Sequence, residues 1–327
     1  MRIKQAGFSI IEIFVSLVVG LFLLAGVMAT FVSMRTTTTE TTTFGELQEN
    51  GRFAISVITD DLLRQNFWGG LSGNLTFSGL TNVPAVLASD CAGEGINNNT
   101  FPQPVGHFRA IWGDTLTSAN ALGCITDAKT NSDIIQIKRV ISSASTAAQV
   151  DDERYYLITN MNAGEIFAGD AAIPAMDYGT IWEYQHHIYY IKEYTQGNIT
   201  VPALMLGRLR NQKSPPIFFD PIVDGIERIH FDYGVDTTGD GVVNAFIPAE
   251  DMPATYWDNE NDAKILAVTV YVLVRSILPD DDYENKNTYQ MGKHSVNFLS
   301  DDGSGDNYRR LLFTSTISLY NARIESW

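Results

Sequence analysis

Positive charge is scarce in this chain of 327 residues: 22 Lys and Arg stand against 38 Asp and Glu, for a formal net charge of −16 at pH 7, and no long Lys/Arg run occurs. A surface of that sign repels phosphate, so direct nucleic-acid binding by the folded part is disfavoured. Motifs of catalysis are missing as well. There is no HExxH, no GxSxG and no phosphate-cradling glycine loop with its lysine. The five histidines are scattered. His186 and His187 are adjacent in a stretch of strand composition, so they point to opposite faces and cannot share a metal, and they read as surface or half-buried strand histidines. Asp60 and Asp61 are neighbours on a helix and diverge, which speaks against a catalytic pair. Nothing here points to an enzyme. No internal repeat and no βαβ alternation is visible.

One absence is local and more informative. From Ile13 to Val32 the chain has no charged residue. Together with the apolar residues from Phe8 onward, this run reaches across a hydrocarbon core of roughly 30 Å at about 1.5 Å per residue, and it predicts a single transmembrane helix. Arg2 and Lys4 precede it, which places the N-terminus in the cytoplasm and the rest on the exported side. An ordinary secretory signal would have a shorter apolar region and a small-residue cleavage site, and neither is present. Glu12 is the one charge inside the apolar run. A carboxylate there costs on the order of 2.5–3.5 kcal/mol at the membrane centre and less near an end, so a partner is expected.

The string Gly7-Phe8-Ser9-Ile10-Ile11-Glu12 resembles the processing site of type IV prepilins and related pseudopilins. The resemblance implies cleavage by a membrane prepilin peptidase between Gly7 and Phe8 and methylation of the new N-terminus at Phe8. It also implies that Glu12 answers the Phe8 amine of a neighbouring subunit. An unpaired ion is expensive in lipid, which suits that pairing. The alternative is an N-terminal anchor with an incidental Glu.

Beyond the apolar run, Phe44, Leu47, Gly51, Ile55, Ile58 and Leu62 recur at three- and four-residue steps and predict an amphipathic helix, with Glu46, Glu49, Arg52, Asp60 and Arg64 on its other face. The tract Thr36 to Thr43 between the two is made of poor helix formers, each about half a kcal/mol worse than Ala, and local softening of the helix is expected there. Gly20 and Gly26 are further weak points that also permit close helix contact. Phe67-Trp68-Gly69-Gly70 reads as the helix stop.

Leu71 to Thr130 has no sustained periodicity and reads as long loops with short strands. Cys91 and Cys124 are the only cysteines. On the exported side they read as one disulfide, worth roughly 3–4 kcal/mol in the chain-entropy model; two unpaired buried thiols are the alternative. Strands are predicted at Asp133–Val140, Arg154–Thr159, within Gly179–Thr195, and at Ala203–Arg210. Further on, Ile229, Phe231, Tyr233 and Val235 alternate with Arg228, His230 and Asp232, giving a strand with one apolar face. Lys264–Arg275 is apolar on both parities and reads as a central strand, and Arg310–Tyr320 as the last.

The segment from Asp236 to Asn244 has the oxygen pattern of a calcium loop. Asp236, Thr238, Asp240 and Asn244 take positions one, three, five and nine, with Gly241 at six and the Val242 carbonyl at seven. Ile247 at position twelve cannot coordinate; Glu250 or Asp251 could replace it only if the chain folds back. Calcium in a β-turn is one reading, and an Asp-Gly hairpin whose carboxylates face water is the other. Other acidic stretches, Asp280 to Asp282 and Asp301 to Asp306, read as solvated loops.

Glu49-Asn50-Gly51-Arg52-Phe53-Ala54, the YYI string at Tyr189, YGVDTTGDG from Tyr233 to Gly241 and RRLLFTST from Arg309 to Thr316 resemble the PilW family of minor pilins. The fold that this implies is α+β and type IV pilin-like: a long N-terminal helix, transmembrane and then amphipathic, on a C-terminal antiparallel β-rich domain. The expected division is a leader at 1–7, a transmembrane half-helix at 8–34, an amphipathic half at 35–68 and a periplasmic β-rich domain at 69–327. What the resemblance implies beyond the fold is insertion in the inner membrane and a place in the extracellular pilus tip. Partners would be other minor pilins, the major pilin, the prepilin peptidase, the inner-membrane assembly platform and a tip adhesin. No cofactor is required beyond the calcium considered above. The alternatives are a tip-complex pseudopilin of type II secretion, and a membrane-tethered periplasmic binding module that never polymerises.

Overall fold

The computed structural model describes residues 7, 9–93, 95–104, 106–212 and 214–323. The leader residues 1–6 and Phe8 lie outside that set. The chain divides into two compact units, Met1–Glu46 and Leu47–Trp327.

A single helix, α1, runs Ile10–Arg64. Within the first unit its apolar side chains from Ile10 through Met34 are exposed, apart from the half-buried Val18. By length and composition this helix can cross a membrane, where a helix satisfies its backbone groups internally. The expected softening at the threonines is not an interruption. Thr37, Thr38, Thr39, Thr41 and Thr42 each return their hydroxyl hydrogen bond to the carbonyl four residues back, at 2.8–3.1 Å, and the helix continues through them. Helical geometry likewise persists at Gly20 and Gly26.

The second unit holds the rest of α1 and the sheets. The buried face of the helix carries Leu47, Ala54, Ile58 and Leu62. Phe44, placed on the apolar stripe by periodicity, is exposed. The helix ends before the glycine pair. Arg64 is its last residue, and Asn66 takes the left-handed conformation that turns the chain, with φ 56°. Asn66 is held there because its Oδ1 accepts from Trp68 Nε1 at 2.7 Å while its Nδ2 donates to Asn74 Oδ1 at 2.9 Å. Gly69, at φ +65°, lies directly under the Trp182 indole, where a Cβ has no room.

The first sheet contains β1 Leu80–Asn82, β2 Ile111–Thr115, β3 Asp133–Val140, β4 Tyr155–Thr159, β5 Gly164–Ala168, β6 Thr180–Gln196, β7 Ile199–Leu209 and β8 Ile217–Asp224. Its order is β1-β5-β4-β6-β3-β2, with β7 on β6 and β8 on β7, and only β1–β5 is parallel. The 17-residue strand β6 changes partners along its length. Thr180 to Tyr184 pair with β4, whereas His187 to Gln196 pair with β7.

The second sheet is antiparallel and built from β9 Ile226–Asp236, β10 Ala245–Pro248, β11 Lys264–Arg275 and, after a ribbon of β12 Tyr289–Met291 and β13 His294–Val296, β14 Arg310–Ser318. Its order is β10-β9-β11-β14. Ile229, Phe231, Tyr233 and Val235 are fully buried, as their alternation predicts, and they share a core with Ile135, Ile188, Val268, Val270 and the helix residues Ile58 and Leu62. The opposite face of this sheet is also covered. Leu273 packs with Tyr289, Met291 and Val296 of the ribbon, which explains why β11 is apolar on both parities. His230 and Asp232, predicted on a polar face, are buried beneath the same ribbon segment, with the His230 ring stacked on His294 at 4.4 Å.

Candidate functional site

Of the processing pair, Gly7 is exposed and Phe8 lies outside the described residues. Glu12 sits in the first turn of α1, where its Oε2 accepts from the Ser9 backbone N–H at 2.9 Å. Ser9 Oγ in turn accepts from Ile11 N at 3.4 Å. Glu12 therefore supplies its half of an S-x-x-E cap, while the Ser9 hydroxyl takes the amide at the second helical position instead of the third. Residue reading missed this local use of Glu12, although the spacing was there to find.

In the second unit, the ENGRFA segment separates by face. Asn50 donates from Nδ2 to the Asp224 carbonyl at 3.1 Å, Gly51 receives the Phe313 ring where a Cβ would stand, and Ala54 is fully buried. Phe53 is exposed. The helix is also fixed by charge. Asp61 is buried, and its carboxylate takes Arg139 Nε at 3.0 Å, Arg139 Nη2, His187 Nδ1 at 2.5 Å and the Tyr189 hydroxyl. Burial alone would raise this carboxyl, but the His187 hydrogen bond and charge, with Arg139, hold it well below the usual carboxylate range. Its neighbour Asp60 diverges to pair with Arg64, as expected.

His186 and His187 do separate to opposite faces. His187 is half-buried on Asp61, but His186 is fully buried, which corrects the surface reading: its Nδ1 lies 2.9 Å from Thr100 Oγ1 of an interior loop. A second buried ion cluster joins Glu227 to Arg310 at 2.5 and 3.0 Å, with Arg310 also on Asp306 at 2.7 Å. It ties β9 and β14 to the loop before β14.

Cys91 and Cys124 form a disulfide with Cα atoms 5.3 Å apart. The Asp236–Asn244 residues share one tight turn between β9 and β10. There Asp236 Oδ1 accepts from Thr238 N and Gly239 N at 2.9 Å, and its Oδ2 from Gly241 N at 2.7 Å. Burial pushes this carboxyl up, and the amide donors outweigh it, so it lies below its ordinary value. Asn244 Oδ1 accepts from Thr237 N at 2.7 Å, and Asp240 Oδ1 from Val242 N at 2.9 Å. Three of the five proposed ligands, Asp236, Asp240 and Asn244, thus spend side-chain oxygens on the turn's own amides. Among the described residues no group of three or more His, Cys, Asp or Glu side chains is arranged to hold a metal ion.

Residues 188–321 match the family model described as PilW, Type IV Pilus-assembly protein W. The match supports a PilW-family type IV pilus protein. It runs from within β6 through β14, and so covers Tyr189 of the Asp61 cluster, the Asp236 turn, Arg310 and the Phe313 that seats on Gly51. Comparison with curated proteins and with solved structures gave no match. The PilW family is one of assembly proteins rather than enzymes. It suggests association with other pilus components, and the apolar helix is consistent with a membrane anchor.

Proposed function

We propose that this chain is a minor pilin: a prepilin peptidase cuts between Gly7 and Phe8, the new amine is methylated, and α1 passes from the inner membrane into a filament. The observation that carries this reading is the PilW match over 188–321 in a chain whose N-terminal helix is long and apolar enough to span a bilayer. In that filament the Glu12 carboxylate of one subunit faces the Phe8 amine of the next. The subunit joins other minor pilins and the major pilin on the inner-membrane platform, beneath a tip adhesin, and the fibre supports twitching motility, adhesion or DNA uptake.

Two roles for Glu12 are separable by substitution. Gln at position 12 keeps an oxygen for the Ser9 cap but removes the charge, whereas Ala removes both. N-terminal sequencing of protein recovered from cells is expected to begin at methylated Phe8. Both Glu12→Gln and Glu12→Ala are expected to insert normally and to abolish surface piliation. Normal piliation by Glu12→Gln would reduce Glu12 to a helix cap, and a mature chain that starts at Met1 would overturn the processing reading.

A further inference from the structure

The end of α1 opens on a cavity of about 430 Å³, walled by Gln65, the loop before β1, the loop before β2, the short helix Ala254–Trp257 with Asn259 after it, and the start of β11. Small-molecule sites occupy roughly 300–1,000 Å³, so the space is of the right order. In a chain with 38 acidic residues, none of the described residues that line it is Asp or Glu. Carboxamides take their place.

Gln65 is the group that lacks a partner. Its backbone is pinned, because its N–H donates to the Leu62 carbonyl at 3.3 Å and its carbonyl accepts from Asn321 Nδ2 at 3.0 Å. The residue is only 3% exposed, yet its carboxamide, on the cavity wall, makes no hydrogen bond to any described residue. The neighbouring Asn66 shows the contrast, with both ends of its carboxamide spent on Trp68 and Asn74. Folded interiors rarely leave such a group unmet, so the occupant of the cavity is polar.

Three more groups on the wall can meet it. Asn74 spends only its Oδ1, on Asn66, while the carboxamide of Asn259 and the His107 ring make no hydrogen bond to a described residue. Burial holds His107 below its ordinary value against the pull of Asp258, so near neutral pH the ring is one donor and one acceptor. Ile111, Ile265 and Trp257 add an apolar side. A cation would find no carboxylate, and Lys264, the one lysine in the lining, is already engaged within the protein, which disfavours an anion. Paired donors and acceptors without net charge, beside an apolar wall, match a ring whose rim carries hydroxyls and whose face is C–H.

We propose that this cavity binds a neutral hexopyranose, with the Gln65 carboxamide bridging two of its hydroxyls. Asn259 and His107 take further hydroxyls, and the C–H face lies toward Ile111, Ile265 and Trp257. All of these residues belong to the unit Leu47–Trp327, so the site stands apart from the processing and assembly of the N-terminal helix.

The test is saturation-transfer NMR on the full chain in a phosphocholine detergent, which carries no sugar of its own. The probes are the methyl glycosides of glucose, galactose, mannose and N-acetylglucosamine and the disaccharides lactose and maltose, with N-acetylneuraminic acid, glucosamine and glutamine as charged comparators. Transfer to at least one neutral probe and to no comparator is expected. Transfer to methyl glycosides alone would identify a free sugar as the ligand, and transfer to the terminal ring of a disaccharide would identify a glycan end. Gln65→Leu keeps the size but removes the carboxamide, and Asn259→Gly keeps the left-handed backbone at φ 50°. Each is expected to weaken binding roughly tenfold. Gln65→Leu should do so with a melting temperature unchanged or raised, since it breaks no bond within the protein; a lower melting temperature with unchanged affinity would make Gln65 merely structural and count against the site. If Gln65→Leu fails to fold, Asn259→Gly carries the comparison. No transfer to any neutral probe, transfer that survives both substitutions, or binding of the comparators instead overturns the proposal.

Discussion

Gly51 is a residue whose missing side chain does the positioning. The Phe313 ring from β14 occupies the space a Cβ would need, so the helix approaches the sheet at this point more closely than an alanine would allow. Gly51→Ala is therefore expected to lower the melting temperature, although Ala is intrinsically the better helix former by about 1 kcal/mol. In a Phe313→Ala background the same change should be neutral or stabilising, and this reversal of sign in a double-mutant cycle is the check. Asp61 makes the complementary case by charge. Removing it leaves Arg139 buried without its counter-ion, and Asp61→Ala is expected to cost about 3–5 kcal/mol in denaturant unfolding. The pH dependence follows from the direction of its shift. Because the folded carboxyl lies far below its unfolded value of about 3.9, its contribution is whole above that pH and drains as acid titrates the unfolded state. Stability should fall below about pH 4 in the unaltered chain and less steeply in Asp61→Asn, measured as urea midpoints across pH.

At the level of elements, the residues gave away most where composition and burial agree. Asp133–Val140 and Lys264–Arg275 stand in the structure with the bounds that β-branched content and flanking polar residues indicate. The order of the strands was not legible, because β6 serves β4 with one half and β7 with the other, a choice made by pairing and not by propensity. Nor were the interior polar groups of the loop before β2. Asn98 and Thr100 look like turn residues, and only partners at Gln136, Lys138 and His186 show that they are core. Asp61 was hidden for the same reason, since its partners at 139, 187 and 189 are distant in sequence. The threonine tract is helical throughout. Back-bonding hydroxyls accompany the unbroken helix, yet none of residues 37–43 is buried, unlike Leu47, Ala54, Ile58 and Leu62. Hydrogen exchange on the full chain in detergent is expected to be faster at 37–43 than at 47–62.

The whole molecule must stay folded with an excess of negative charge and with long loops between its sheets, and two devices bear on that. In the Asp236 turn the carboxylate already accepts the amides of Thr238, Gly239 and Gly241, which satisfy it without an ion. The expected outcome of a millimolar Ca²⁺ titration is an unchanged melting temperature, and a rise would show that the turn reorganises around the ion. The disulfide acts on a larger scale. Cys91–Cys124 closes a loop across 33 residues that carries little regular structure, so its cost when open is largely the freedom returned to the unfolded chain, roughly 3–4 kcal/mol in the entropy model. The native side also suffers, because the Cys91 carbonyl receives Gln136 Nε2 and Gln136 Oε1 receives Asn98 Nδ2, bonds that seat the loop on β3. Replacing both cysteines by serine is therefore expected to lower the unfolding free energy of the full chain by at least that much. The denaturant slope should rise as the unfolded state expands, a change that distinguishes loss of a cross-link from loss of packing alone.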